Sequence, residues 1–211
     1  MGAVMGVLSS KVVLKTGTLL IASRLAMHAV PATIDPSIPT TEISKPLAQQ
    51  LKVNESTIAS RRYVDIGNHT ISIGRVMVVD GDAPTMVIGA DVLRETALAI
   101  DLKKKQLRVL EPAEFRRAVK GSPPVEALFG PDHCPVITAT APDGKQVKVA
   151  LTGSPTSSQS SLTEIKINGM PFFAGPQLSG RCPESDYSLN WSAFDGRNLV
   201  LDLRHGRMWL S

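Results

Sequence analysis

One segment of this chain recurs about a hundred residues later, and that recurrence constrains the fold. Residues 87–102 align without a gap with residues 188–203, so that Leu98 corresponds to Leu199 and Asp101 to Asp202. Farther upstream, residues 33–41 align with residues 149–157. A repeat of this length is typical of two similar folded units rather than of a solenoid, whose periods are shorter.

Composition and turn residues predict β structure in both units. Hydrophobic residues make up 43% of the chain and charged residues 20%, which is typical of a globular protein. Short runs of Val, Ile, Leu and Thr alternate with 15 prolines and 16 glycines, which indicates strands joined by frequent turns. We therefore predict an N-terminal lobe at residues 1–120, a linker at residues 121–132 and a C-terminal lobe at residues 133–211.

Several classes of function lack support in the sequence. The net charge of +4 is modest, and the basic runs 103–105 and 116–117 have no interleaved aromatic residues, so no nucleic-acid partner is expected. No apolar stretch reaches 18 residues, so no membrane span is expected. The four histidines lack metal-ligand spacing, and no glycine-rich phosphate loop is present, so we expect no metal and no cofactor.

The N-terminal segment and the two cysteines leave the cellular location open. Lys11 and Lys15 precede apolar residues 18–23, which are typical either of a short signal peptide ending near residues 29–32 or of a β-strand. Cys134 and Cys182 both lie in the second repeat. In an exported protein they would form a disulfide, and in a cytoplasmic protein they would remain two thiols.

The order of landmarks within each repeat resembles that of the pepsin/retropepsin family of aspartic proteases. In the first repeat, apolar residues 32–34 lead into Asp35, hydroxylated residues 40–41 follow, and an apolar-apolar-glycine segment comes at residues 87–89. In the second repeat, residues 150–154 and 199–203 match the same landmarks. The resemblance implies an all-β, two-lobed acid-protease fold, in which each lobe is a small closed β-barrel-like unit with short helices.

The same resemblance locates the catalytic positions and shows that both depart from the family motif, Asp-Thr/Ser-Gly. Asp35 is the candidate catalytic residue, but Pro36 and Ser37 replace the motif residues that follow the aspartate. In the second repeat the alignment places Leu151 at the aspartate position, followed by the motif-like Thr152 and Gly153. Peptide hydrolysis in such a site needs two carboxylates that share one proton, so a leucine at one position makes the second motif degenerate.

Three functional hypotheses follow from these departures. The first is a catalytically impaired monomer whose interlobe cleft binds an extended peptide or protein ligand. The second is an active aspartic endopeptidase in which Asp35 uses an unidentified carboxylate or one supplied by a dimer. The third is a purely structural protein. Under each hypothesis, the symmetric Asp101 and Asp202 are expected to cap hairpin turns rather than to act as a catalytic pair.

Overall fold

The computed structural model describes residues 10–25, 28–52, 62–67, 69–129, 134–153, 162–176 and 182–211. Most of these residues lie in β-strands. The strands of the first lobe are β1 (Ser10–Lys15), β2 (Thr18–Leu25), β3 (His28–Ile34), β4 (Glu42–Ser44), β5 (Arg62–Ile66), β6 (His69–Ile73), β7 (Met77–Val79), β8 (Met86–Ile88), β9 (Ala97–Asp101) and β10 (Gln106–Leu110). Those that follow are β11 (Val125–Phe129), β12 (Pro135–Thr140), β13 (Gln146–Leu151), β14 (Thr163–Ile167), β15 (Met170–Pro176), β16 (Tyr187–Leu189), β17 (Asn198–Asp202) and β18 (Arg207–Leu210).

The helices are short and begin at residues suited to capping. Helix α1 (Lys45–Gln50) begins after Ser44, whose side chain accepts a hydrogen bond from the Leu47 N–H, as expected for a helix opened by a serine and a proline. Helix α2 (Ala90–Leu93) follows Gly89, and α3 (Pro112–Ala118) begins with a capping box. A 3-10 helix spans Trp191–Phe194.

Each lobe places a parallel strand pair at the inner end of its sheet. In the first lobe β3 runs parallel to β8, and in the second lobe β13 runs parallel to β16. In the second lobe β12, β13, β16, β15 and β14 pair in that order, and β14 pairs back to β12, which closes a small barrel. Because strands β3 and β13 both end at the centre of the molecule, the loops after them are brought together.

A six-stranded sheet joins the two lobes. Its order is β1, β10, β9, β17, β18 and β11, and β9 pairs with β17 across the molecular centre. The inner face of this sheet belongs to one apolar core that includes Leu98 and Ile100 from the first repeat and Leu199 and Leu201 from the second. On the outer face, Phe115 of α3 meets Trp209 edge to face at 5.3 Å.

The segment predicted as a linker is partly a strand. Residues 125–129, which fall within the predicted linker 121–132, form β11, which pairs with both β18 and β12. Val125 and Ala127 of β11 are buried and join the core. The linker prediction is therefore wrong for these residues, because the proline and glycine signal at residues 121–124 marks only the turn before the strand.

The aspartic-protease-like loop pair

Asp35 lies directly after β3, at the point where the two lobes meet. Its backbone N–H donates to the Ile88 carbonyl, at 3.0 Å, which continues the parallel pairing of β3 with β8 by one residue. The residue is only 3% exposed. The end of β3 therefore places a carboxylate in the buried centre of the molecule.

Three hydrogen bonds converge on one oxygen of Asp35. Its Oδ1 accepts from the backbone N–H of Ser37 at 3.0 Å, from the Ser37 hydroxyl at 2.5 Å and from the backbone N–H of Gly153 at 2.8 Å. Ser37 thus supplies both its backbone N–H and its hydroxyl to the carboxylate, while the third donor comes from the opposite lobe.

Gly153 comes from the opposite lobe and must lack a side chain. A Cβ on Gly153 would lie 2.6 Å from the Asp35 Cα, which is far inside van der Waals contact. Because no side chain separates the two backbones, the Gly153 N–H reaches the Asp35 carboxylate directly. This hydrogen bond joins the two lobes, because Gly153 belongs to the second lobe and Asp35 to the first.

The strand register places Thr152, and not Leu151, opposite Asp35. Ile34 pairs with Ile88 in the first lobe and Leu151 pairs with Leu189 in the second. The next residue in each lobe then makes the same bond, from Asp35 N–H to Ile88 O and from Thr152 N–H to Leu189 O. Since Ile88 and Leu189 are equivalent in the repeat, Leu151 is the counterpart of Ile34.

This register corrects the sequence alignment by one residue. Leu151 is 5% exposed and belongs to the core, as Ile34 does. The second loop therefore reads Thr152-Gly153-Ser154 where the first reads Asp35-Pro36-Ser37. Thr152 therefore presents a hydroxyl at the position equivalent to Asp35.

Trp191 forms a second connection between the lobes, which sequence reasoning missed. Its indole Nε1 donates to the carbonyl of Ile34 at 2.7 Å, and its ring is 3% exposed. Its backbone N–H donates to Gly17 in the turn between β1 and β2, at 3.1 Å. The available signal was the replacement of Ala90 by tryptophan at the equivalent position of the repeat.

At the same junction, the Asn190 side chain packs against Gly17, which has no side chain. Asn190 replaces the repeat-equivalent Gly89, and its Oδ1 caps the 3-10 helix by accepting from the Ser192 N–H at 3.0 Å. A Cβ on Gly17 would lie 2.5 Å from the Asn190 Nδ2. The side chain absent at Gly17 therefore leaves the room that the larger residue at position 190 needs.

A half-buried acid, Asp91, anchors the loop after β8 in the first lobe. Asp91 Oδ1 accepts from the Thr41 N–H at 2.9 Å and from the Thr41 hydroxyl at 2.8 Å. The same hydroxyl accepts from the Gly89 N–H at 3.2 Å. Burial raises the pKa of Asp91 despite these bonds, and burial also lowers the pKa of the neighbouring Arg94.

The structure confirms that Asp101 and Asp202 cap hairpin turns. Asp101 Oδ1 accepts from the Lys104 N–H at 2.7 Å. Asp202 Oδ1 accepts from the His205 N–H at 3.3 Å, and its Oδ2 lies 2.8 Å from the His205 Nδ1. These bonds use the carboxylates to stabilise the β9–β10 and β17–β18 turns.

The two cysteines, whose pairing the sequence left open, are joined as a disulfide. Cys134 and Cys182 have a Cα–Cα separation of 5.7 Å, and both are buried beside Ala150. The bond ties the residue before β12 to the segment before β16. It therefore holds together the part of the second lobe from which the Thr152 loop emerges.

The described residues include neither a membrane-spanning helix nor a cluster of metal-ligating side chains. No helix there is long and apolar enough to cross a membrane. In that same part of the chain, no group of three or more His, Cys, Asp or Glu side chains is arranged to hold a metal ion. The N-terminal residues 18–25 and 28–34, for which a signal peptide was one alternative, form the paired strands β2 and β3.

Comparison with solved structures decides the fold. An aspartic proteinase from Irpex lacteus matches 96% of this chain over 96% of its own, with a TM-score of 0.60 and 8% sequence identity. The chain has an aspartic-protease-like fold. The retroviral protease-like domain of Ddi1 from Leishmania major also matches, over 46% of this chain and 96% of its own, with 18% identity and a TM-score of 0.34. No protein-family model and no curated protein matches the chain.

Proposed function

We propose that this aspartic-protease-like protein binds extended peptides in the cleft between its lobes and does not hydrolyse them. The observation that carries the proposal is the register of the two central loops, which puts Thr152 at the position equivalent to Asp35. The aspartic-protease-like fold implies a cleft between the lobes, the first central loop supplies one carboxylate, and the second supplies a hydroxyl instead of an acid.

The chemistry of peptide hydrolysis explains why this exchange matters. One carboxylate acts as general base on a water molecule while its protonated partner supports the carbonyl oxygen and later donates a proton. A threonine hydroxyl does not titrate in the acidic range, so it cannot share a proton with Asp35. In the sequence that follows Gly153, residues 154–161 include no aspartate or glutamate.

Binding does not depend on the missing acid. An extended peptide is held mainly by main-chain hydrogen bonds and by pockets for alternate side chains, neither of which needs a carboxylate pair. The loops that line the centre of the molecule are fixed by bonds between the lobes, such as Gly153 N–H to Asp35 and Trp191 to Ile34. A fixed groove loses little entropy when a peptide binds, which favours affinity.

Cleavage and binding assays on the same peptide library test both parts of the proposal. Wild-type protein and the Asp35→Asn variant are incubated with the library from acidic to neutral pH, and products are detected by mass spectrometry. We expect both to bind peptides and neither to release products above the buffer control. Cleavage by wild type that is lost in Asp35→Asn would show an active peptidase and overturn the proposal. Absence of any saturable peptide binding would overturn it in favour of a structural role.

A further inference from the structure

A groove between the second lobe and the β1–β2 turn of the first lobe, where Leu14, Thr16 and Gly17 line it, runs along the edge of β15 rather than over a face of its sheet. It has a volume of about 840 Å³. Consecutive residues Pro171, Phe172 and Phe173 all line it. Since successive side chains of a strand point to opposite faces, three in a row contact one groove only if that groove follows the strand edge. Its opposite wall includes Ser192 and Arg197, in and after the 3-10 helix.

The turn between β14 and β15 determines which backbone groups face this groove. Asn168 and Gly169 form a two-residue turn, and both have positive φ, 48° and 79°. The pair Ile167–Met170 that flanks such a turn exchanges ladder hydrogen bonds, and bonded and non-bonded pairs alternate from there. Phe173, paired with Glu164, falls at a non-bonded position. Its N–H and C=O therefore point away from β14.

The neighbouring positions confirm this alternation. Pro171, which has no N–H, lies at a non-bonded position, so no hydrogen bond between β14 and β15 is lost. Its carbonyl accepts a hydrogen bond from the Arg197 guanidinium at 3.0 Å. Gly175, two residues beyond Phe173, pairs instead with Ser188 of β16. Strand β16 ends at Leu189, before it reaches Phe173. Among the described strands, none pairs with β15 on this side at Phe173.

Two further properties of the groove define what it would bind. The Phe173 side chain is 59% exposed, and Leu162 at the groove margin is 43% exposed, so apolar surface flanks the open backbone position. The Arg197 guanidinium lies over the Phe172 ring, 4.3 Å from its centroid, and forms no ion pair with a carboxylate of the described residues. Asp195 also lines the groove, and its Oδ1 accepts from the Gly196 N–H.

We propose that the edge of β15 at Phe173 is a second peptide site, distinct from the central cleft, for an extended segment carrying a single acidic side chain. The segment pairs with the N–H and C=O of Phe173 as a short added strand, and its carboxylate binds Arg197. The added strand can pair at only one position. On one side of Phe173 the Pro171 carbonyl already binds Arg197, and on the other side Gly175 already pairs with Ser188 of β16. Asp195 disfavours a second acidic residue.

A fluorescent hexapeptide of alternating sequence tests the site. The probe is fluorescein-Thr-Val-Thr-Val-Asp-Thr-amide, followed by fluorescence anisotropy at low ionic strength. Its matched controls carry Asn in place of Asp, or an N-methyl group on the second valine. The protein variants are Phe173→Pro, which removes the outward N–H, Phe173→Ala, which removes only the side chain, and Arg197→Gln. Circular dichroism checks that each variant remains folded.

The expected pattern separates backbone pairing from apolar contact. Phe173→Pro should bind the probe about fivefold more weakly than Phe173→Ala, because one backbone hydrogen bond is lost. Arg197→Gln should weaken the Asp probe about fivefold and leave the Asn probe unchanged. If Phe173→Pro does not fold, the N-methylated probe replaces it and should bind about fivefold more weakly to wild type.

Two results would overturn this second site, and neither depends on the central cleft. One is equal binding of the probe by Phe173→Pro and Phe173→Ala, or of the plain and N-methylated probes if the proline variant is unfolded. The other is an unchanged preference for the Asp probe in Arg197→Gln. Probe binding that Phe173→Pro and Arg197→Gln both leave unchanged would overturn this site and assign the peptide to the central cleft.

Discussion

The backbone N–H of Gly153 lies 2.8 Å from Oδ1 of Asp35, so the loop of one lobe binds the only carboxylate that the two central motif positions retain. Asp35 is therefore held by its own loop, through Ser37, and by the opposite loop, through Gly153. This arrangement gives the surviving acid a structural role in joining the lobes, whatever chemistry the cleft performs.

Substituting Thr152→Asp should place a second carboxylate beside Asp35. Because two carboxylates that close cannot both ionise easily, one of the two pKa values should rise well above that of an ordinary aspartate. Carboxyl carbon chemical shifts, followed by NMR against pH, measure both titrations. We also expect acid-range peptide cleavage that disappears in the double variant Asp35→Asn/Thr152→Asp.

Leu151→Asp is the matched control for that experiment, because the sequence alignment alone would select it. Leu151 is buried in the core, so an acid there should cost more than about 3 kcal/mol of unfolding free energy at neutral pH and give no activity. Cleavage by Leu151→Asp without cleavage by Thr152→Asp would show that the register argument is wrong.

Gly153→Ala should be strongly destabilising. Its added methyl group would meet the backbone of Asp35, which cannot move without disturbing β3, so we expect a loss of about 3 kcal/mol or more. Urea denaturation measures the change. Gly74→Ala is the control, since nothing lies within 4 Å of its Cβ position, and it should change stability by less than about 0.5 kcal/mol. Similar costs for both variants would contradict the close approach of the loops.

Trp191→Phe should weaken the junction between the lobes by leaving the Ile34 carbonyl buried without its indole donor. A buried acceptor that loses its partner costs about 1–3 kcal/mol, in addition to the smaller ring volume. Thermal or chemical unfolding measures this loss. Trp209→Phe is a suitable comparison, because Trp209 is also buried but contributes through packing against Phe115. A cost for Trp191→Phe no larger than that for Trp209→Phe would argue against the indole hydrogen bond.

Much of the fold was predictable because both halves of the sequence show the patterns of strands and turns, and the site was predictable only in part. Residues 98–110 and 199–210 show the hairpin pattern directly. The sequence alignment around Asp35 was displaced by one residue. Ala150 and Leu151 are both apolar, so the sequence does not specify which of them corresponds to Ile34 at the end of the strand. Only the parallel pairing with β8 and β16 determines that register. The Trp191 contact joins residues 157 positions apart, so no local pattern reports it.

Asp91→Asn should change the pH dependence of stability in a definite direction. Burial raises the pKa of Asp91 in the folded state above its ordinary value of 3.8, so the folded protein holds that proton more tightly than the unfolded chain. The contribution of Asp91 is therefore most favourable below pH 3.8 and declines as the pH rises through the folded-state pKa. An asparagine keeps the Oδ1 acceptor for Thr41 and removes the titration. Relative to wild type, Asp91→Asn should become more stable between about pH 3 and pH 7.

Asp143→Asn provides the opposite sign as a control. The pKa of Asp143 is lowered by its contact with Lys145, so its contribution is present above the ordinary value and is lost as the pH falls. Because that pair is exposed to solvent, its effect should be small. Urea denaturation of both variants across this pH range makes the comparison. If the difference in unfolding free energy between Asp91→Asn and wild type stays constant with pH, folding does not shift the pKa of Asp91. If the advantage of Asp91→Asn instead falls as the pH rises, folding lowers that pKa. Either result would contradict the prediction.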